Sequence, residues 1–199
     1  VYGATETSPT AIYQTADIAA ATVGSIGRAG SRCEIRITGD DGTELPVGEV
    51  GEIRVRGDNI LTRYWNNESA STESIVDGWF RTGDMARLDA DGLYWFADRL
   101  KHVIISGGEN IYPAELERVL ADFEGLTEFA IVGRDDPRWG QVPVVVAARS
   151  GPSVTSDDVL AHFEGRIARF KRPKDVVFIE ALPRNALGKV VAANVRALL

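Results

Sequence analysis

Across residues 23–97 apolar and polar side chains alternate with a period of two. Cys33-Glu34-Ile35-Arg36-Ile37 and Glu52-Ile53-Arg54-Val55-Arg56 each send every second side chain to one face, the pattern of a half-buried strand. Asp40-Asp41-Gly42 and Ala90-Asp91-Gly92 supply turn chemistry between such runs. The period then changes. Val103-Ile104-Ile105 is a short β-prone run that Ser106-Gly107-Gly108 must end. Pro113 suits the first position of a helix, with Leu116, Val119, Leu120 and Phe123 at helical spacing and Glu115 and Glu117 near its positive end. Bend, strand, tight loop and helix follow one another. Residues 127–132 and 142–148 read as strands joined by a turn over Asp135-Asp136-Pro137-Arg138-Trp139-Gly140. Thr155-Ser156-Asp157-Asp158 reads as a cap before a helix carrying Val159, Phe163 and Ile167, and residues 176–179 as a further strand. The predicted class is α+β: a small antiparallel β-barrel-like subdomain followed by a compact α+β C-terminal domain.

Composition narrows the field. With 199 residues and 44% apolar content the chain can bury a sizeable core and make one or two domains. No apolar run approaches the ~18–20 residues that span a bilayer, so no membrane span is predicted. The start, Val1-Tyr2-Gly3-Ala4-Thr5, is neither a signal peptide nor an initiator Met and reads as internal to a longer chain. One cysteine, Cys33, excludes an intramolecular disulfide, and with His102 and His162 it argues against a zinc cluster, fitting a cytoplasmic protein. A net charge of −7 argues against non-specific nucleic-acid binding. Charge is nonetheless uneven, with seven basic and two acidic residues over positions 166–189.

Candidate chemistry clusters at four places. Two glycines in a row, Gly107-Gly108, leave no Cβ to hold a neighbouring molecule away and permit positive φ, so they could line a narrow passage or simply make a β-turn. Tyr2-Gly3-Ala4-Thr5-Glu6 offers a ring, a hydroxyl and a carboxylate, and Asp84 follows Gly83 where it could accept from two vicinal hydroxyls or close a turn. In Phe170-Lys171-Arg172-Pro173-Lys174, Pro173 disfavours a helix at Arg172, so the segment is predicted to be extended with Phe170, Arg172 and Lys174 on one face.

The string from Asp98 to Glu117 resembles the hinge motif D-R-x-K-x-x-I-x-x-G-G-E-N-I-x-P-x-E-x-E of the AMP-forming adenylating enzymes, the superfamily of acyl-CoA synthetases, peptide-synthetase adenylation domains and luciferases. Three more stretches resemble that superfamily in its order: Y-G-x-T-E at Tyr2, W-x-x-T-G-D at Trp79 and P-[RK]-x-x-x-G-K at Pro183. Residues 59–66 resemble its G-x-x-x-x-x-G-Y segment, with Arg63 where many members have glycine, and are given no catalytic role.

The resemblance implies an enzyme that activates a small-molecule carboxylic acid, a fatty acid by preference, with ATP and Mg²⁺ to an acyl adenylate and passes it to CoA. The alternative is an adenylation domain that loads the phosphopantetheine of a carrier protein. Residues 1–97 would end the large adenylate-forming domain, whose N-terminal part lies upstream, and residues 98–199 would be the mobile C-terminal domain hinged at Asp98. The family pattern implies that Tyr2 stacks on adenine beside Gly3, that Thr5 bonds the α-phosphate, and that Glu6 holds the metal. Asp84 would take the ribose hydroxyls and Arg99 the ribose or phosphate. Lys189 would serve catalysis with Thr5 and Glu6, bridging the carboxylate and α-phosphate. Gly107 and Gly108 would replace the lysine loop to open a pantetheine passage, and Trp139, Phe170, Arg172 and Lys174 would sit beside the nucleotide of CoA.

Overall fold

A computed structural model describes residues 1–199, which divide into two compact units, Val1–Leu100 and Lys101–Leu199. In the first, a two-stranded ribbon of β1 (Ile12–Tyr13) and β2 (Arg28–Ala29) flanks the short helix α1 (Ala16–Ala21). An antiparallel sheet follows, built from β3 (Cys33–Thr38), β4 (Val50–Gly57), β5 (Ile75–Val76), β6 (Trp79–Leu88) and β7 (Tyr94–Arg99), with α2 (Glu68–Ser74) ahead of β5. Its order is β3-β4-β6, and β5 and β7 share the far edge of β6. Alternation decides the faces. Ile37, Ile53, Val55, Ala86 and Tyr94 turn inward onto Ala11 and Ile12, while Arg36 and Arg56 lie outside with their guanidinium carbons 4.4 and 4.5 Å from the Trp79 ring centroid.

The expected barrel does not form. The strands of the β1–β2 ribbon are two residues long, too short to continue the ladder, and Gly27 joins β7 by an isolated bridge to Tyr94. The sheet therefore stays open.

The second unit has β8 (Ile104–Ser106), β9 (Glu109–Ile111), α3 (Pro113–Leu120), β10 (Leu126–Asp136), β11 (Gly140–Arg149), α4 (Ser156–His162), β12 (Asp175–Phe178) and α5 (Ala192–Arg196). Central β11 pairs antiparallel with β10, parallel with β12, and at Gly140 with Ser106 of β8. Both faces of this sheet are covered, which is why β11 is continuously apolar from Val142 to Ala148 rather than alternating. Leu116, Leu120, Val159 and Phe163 pack with Ile131, Val145 and Ala147 on one side, and Leu182 and Val195 with Ala130, Val132 and Val146 on the other. Pro113 opens α3 as expected. At α4, Thr155 Oγ1 accepts from Asp158 N (3.2 Å) and the Asp158 carboxylate accepts from Thr155 N (2.9 Å), a reciprocal cap.

Three expectations change. α3 ends at Leu120 and α4 at His162, so Phe123, Phe163 and Ile167 lie beyond the helices predicted to carry them. Gly107 and Gly108, at φ +61° and +86°, turn β8 back into a second strand, β9, before the helix. Asp135 and Asp136 extend β10, leaving only residues 137–139 to make the turn, because Asp136 Oδ1 accepts from the amides of Arg138 and Trp139 (2.9 Å each). No helix is long and apolar enough to cross a membrane.

Candidate functional site

A β-bulge sits at the centre of the first unit. On β4, Glu52 pairs with Met85 and Arg54 with Arg81, so Thr82, Gly83 and Asp84 of β6 together face Ile53. Such extra residues lose their ladder partners and bend the strand, which re-aims a side chain. Gly83 absorbs the bend at φ +69°. Thr82 Oγ1 donates to the Ile53 carbonyl (2.7 Å) and accepts from Asp84 N (3.1 Å). This is the local reason for Thr-Gly-Asp: hydroxyl, hinge and presented carboxylate.

Asp84 is only 7% exposed, and two sequence-predicted residues converge on it. Tyr2, 82 positions away, donates its phenol to Oδ2 at 2.7 Å. Arg99, paired with Asp84 across β6 and β7, brings Nε within 3.2 Å of Oδ1. That ion pair is not a hydrogen bond, and Oδ1 is buried with no donor aligned on it. Burial pushes the Tyr2 phenol well above its ordinary pKa, and the Asp84 charge pushes it further, so the phenol stays a donor. A buried carboxylate oxygen lacking a donor is costly unless something supplies one, and a ligand hydroxyl has the required chemistry.

Thr5 and Glu6 lie on a 3₁₀ turn, Thr5–Thr7, braced by Thr7, whose hydroxyl accepts from Ala4 N (2.9 Å) and reaches the Pro9 carbonyl (2.9 Å). Gly3 has a packing role: a Cβ there would come 1.7 Å from the Pro9 carbonyl oxygen. Thr5 stays exposed. Glu6 Oε1 accepts from the Tyr64 phenol at 3.0 Å, and burial, then this bond to Glu6, raises the Tyr64 pKa. The 59–66 segment thus braces the turn it follows: Leu61 N donates to the Glu6 carbonyl (2.9 Å) and Asn59 Nδ2 to that of Thr7 (2.8 Å). The sequence reading gave this segment no catalytic role and missed Tyr64, although the tyrosine of the Gly-Tyr motif was the available signal. A lone half-buried carboxylate fits a magnesium ion that takes its remaining ligands from phosphate and water.

Asp98 is buried, with Oδ1 accepting from Arg99 N at 2.6 Å. In the second unit the Gly107-Gly108 turn is roofed on one side. Gly107 N donates to the Trp139 carbonyl (2.8 Å), and a Cβ on Gly107 would come 2.9 Å from Trp139 Cε3, whereas one on Gly108 would meet nothing within 4 Å. The indole is 44% exposed, with the Arg138 guanidinium 4.8 Å from its centroid.

The alternating segment expected at residues 170–174 is not formed. Arg169–Lys171 is a 3₁₀ turn, and Lys171 leaves for Glu115, its Nζ 2.9 and 2.7 Å from the two carboxylate oxygens. Pro173 constrains only Arg172, so residues before it were free to turn. Arg172 and Lys174 line a groove of about 350 Å³ with Arg169, Asp157 and Glu164, and Phe170 is not among its lining residues. Within it, Arg172 Nε is buried without a partner and its other contact, to Glu164 at 3.8 Å, is loose. Lys189 sits on a loop clasped by Asn185, whose Oδ1 accepts from the amides of Leu187 and Lys189 (3.0 Å each). Its side chain is exposed and has no ion pair.

Residues 1–65 match the family described as AMP-binding enzyme, and residues 115–189 match the AMP-binding enzyme C-terminal domain. The chain is 50% identical over 200 residues to an indoleacetate–CoA ligase of Aromatoleum aromaticum, covering all of this chain and 39% of that protein. It is 41% identical to a feruloyl-CoA synthase of Amycolatopsis, covering 98% of this chain and 40% of the relative. The structure of o-succinylbenzoate CoA synthetase from Bacillus subtilis, bound to its acyl-adenylate intermediate, superposes with a TM-score of 0.91 at 36% identity, over 98% of this chain and 40% of that one. The same synthetase has been solved with ATP and a magnesium ion. The chain spans about 40% of the length of these relatives. With both family matches in order along it, the chain belongs to the AMP-forming adenylating enzymes.

Proposed function

We propose that this chain serves an acid–CoA ligase that joins a carboxylic acid bearing an aromatic ring to CoA through an acyl adenylate. The observation that carries the reading is Asp84: a buried carboxylate, held by Tyr2 and Arg99, with one oxygen left to accept from a ribose hydroxyl. In the first half-reaction a carboxylate oxygen bonds to the α-phosphorus of ATP and the bond to pyrophosphate breaks. In the second, a thiolate sulfur bonds to the carbonyl carbon and AMP leaves. Glu6 would hold the magnesium ion, whose chemistry when bound would be to neutralise phosphate charge. In this reading Thr5 bonds the α-phosphate, Tyr2 offers its ring to adenine while its phenol anchors Asp84, and Lys189 supplies a movable cation. Asp98 is the hinge in this reading, and Gly107 and Gly108 border the path of the thiol beside Trp139.

The substrate class departs from the fatty acid expected from the sequence. The relatives above are named for indoleacetate, ferulate and succinylbenzoate, and an aromatic acid is the reading they support. The full-length protein, given ATP, Mg²⁺ and CoA, should release AMP with one of those aromatic acids at a kcat/KM at least about tenfold above that with hexadecanoate. Preference for hexadecanoate would remove the aromatic assignment. Release of AMP only with a phosphopantetheinylated carrier protein would replace CoA as acceptor.

The groove around Arg172 bears on that acceptor. Free CoA carries a 3′-phosphate that a carrier-bound phosphopantetheine lacks, and a charge-assisted bond is worth about 1.5–3 kcal/mol when shielded and less at an open rim. Arg172→Ala combined with Lys174→Ala should raise the KM for CoA roughly tenfold, leave adenylation unchanged and remove the preference for CoA over dephospho-CoA. An unmutated enzyme that uses both thiols equally would leave the groove without this role.

A further inference from the structure

We infer that Glu52 is a positioning residue for nucleotide recognition, acting through the Gly83 amide on the carboxylate of Asp84; the inference rests on the ribose-binding role proposed for Asp84. Glu52 is an anomaly in its strand. It is 5% exposed, on a β-strand otherwise buried through Ile53 and Val55, and burying a carboxylate is costly unless its oxygens are satisfied. Its two oxygens are used differently. Oε2 takes Arg81 Nε at 3.0 Å and lies 3.5 Å from Arg54 Nε. Oε1 accepts from Gly83 N at 3.2 Å.

That amide is one of the donors the bulge strips from the ladder, and Thr82 caps the next one, at Asp84. Glu52 and Thr82 together account for the two consecutive amides that fix where the Asp84 side chain starts. Gly83 has φ +69° and a hypothetical Cβ there meets nothing within 4 Å, so no neighbour packs against it on that side, and the bond from Glu52 is the contact that restrains its amide. Without it a glycine in open space regains backbone freedom one residue before a carboxylate that must meet Tyr2 at 2.7 Å and a ligand hydroxyl within hydrogen-bond range. The bland alternative is that Glu52 only neutralises Arg81 and Arg54 on the sheet. The two roles use different oxygens, so they can be separated.

Two conservative variants make the separation. Glu52→Gln keeps an acceptor at the position of Oε1 and loses the charge, and Arg81, whose side chain is 37% exposed, has room to turn toward solvent. Glu52→Asp keeps the charge but, one methylene shorter, draws back from Gly83. The full-length protein is titrated with AMP, 2′-deoxy-AMP and 3′-deoxy-AMP, and amide exchange at Gly83 is followed in parallel. The unmutated protein should bind AMP about ten- to hundredfold tighter than the weaker deoxy analogue. Glu52→Gln should keep that ratio, whereas Glu52→Asp should reduce it to a few-fold, with faster exchange at Gly83, unchanged protection in β4 and an unchanged KM for the acid. If Glu52→Gln loses the ratio and Glu52→Asp keeps it, or if both keep it, the positioning role is overturned. If the unmutated protein does not discriminate among the three nucleotides, the ribose role of Asp84 itself is wrong, an outcome read without either variant.

Discussion

Lys189→Ala should slow acyl-adenylate formation by about 10²- to 10³-fold while leaving thioester formation from supplied acyl adenylate nearly unchanged. Adenylation brings an anionic carboxylate onto an anionic phosphate, and negative charge grows on the non-bridging oxygens as the new bond forms. A cation is worth most where charge develops and water is excluded. In the proposed reading the Lys189 loop supplies that cation. Asn185 clasps the amides on either side of the tip, Arg184 donates to the Gly188 carbonyl at 2.9 Å and pairs with Glu128 at its other end, and Gly188 turns at φ +77°. The backbone is therefore held while the exposed ammonium has no carboxylate partner. In the second half-reaction the phosphate is leaving rather than being attacked, and the same cation has less to stabilise. Rapid-quench measurement of the two steps separately decides the matter. Equal slowing of both would mean that Lys189 serves binding or folding rather than the first chemical step.

The parts of the molecule that local sequence dictates were legible, and those set by tertiary choice were not. Period-two alternation located β3 and β4, and Pro113 and the Thr155 cap located the starts of α3 and α4, because each signal lies within a few residues of its effect. The Gly107-Gly108 turn was legible as a turn, but β9 was hidden. Glu109-Asn110-Ile111 has little β propensity, and it is a strand because the hairpin hands its backbone a partner. At the site, Asp84, Tyr2 and Arg99 could each be named from motifs, yet not their mutual contacts, since Tyr2 and Asp84 are 82 positions apart and Glu6 and Tyr64 58. Glu52 reads in the sequence as an outward polar residue of an alternating strand. Only the bulge opposite it gives its carboxylate an amide to hold. At residues 170–174 a local rule misled, because Pro173 governs the residue before it, whereas the pull of Glu115 on Lys171 decides the turn beyond.

Gly107→Leu should slow thioester formation from supplied acyl adenylate by about 10²-fold, with adenylation changed by no more than about threefold. Two costs act together. A leucine at φ +61° is in the left-handed region, at roughly 1–2 kcal/mol, and its Cβ would lie 2.9 and 3.2 Å from Trp139 Cε3 and Cζ3. The indole must therefore move, although the Gly107 amide still holds the Trp139 carbonyl at 2.8 Å. Displacing the ring changes the wall beside which the thiol is proposed to pass. Gly108 shares the backbone strain, at φ +86°, but not the collision, since nothing lies within 4 Å of its Cβ direction. Gly108→Ala should then cost the second half-reaction only a few-fold, and the contrast separates ring displacement from loss of the turn. Trp139→Ala supplies the control. If the damage runs through the indole, Gly107→Leu added to Trp139→Ala should be little worse than Trp139→Ala alone, a non-additivity expected of residues in contact. Full additivity, or equal damage from Gly107→Leu and Gly108→Ala, would show that the hairpin matters only as a turn and that Trp139 does not border the path of the thiol.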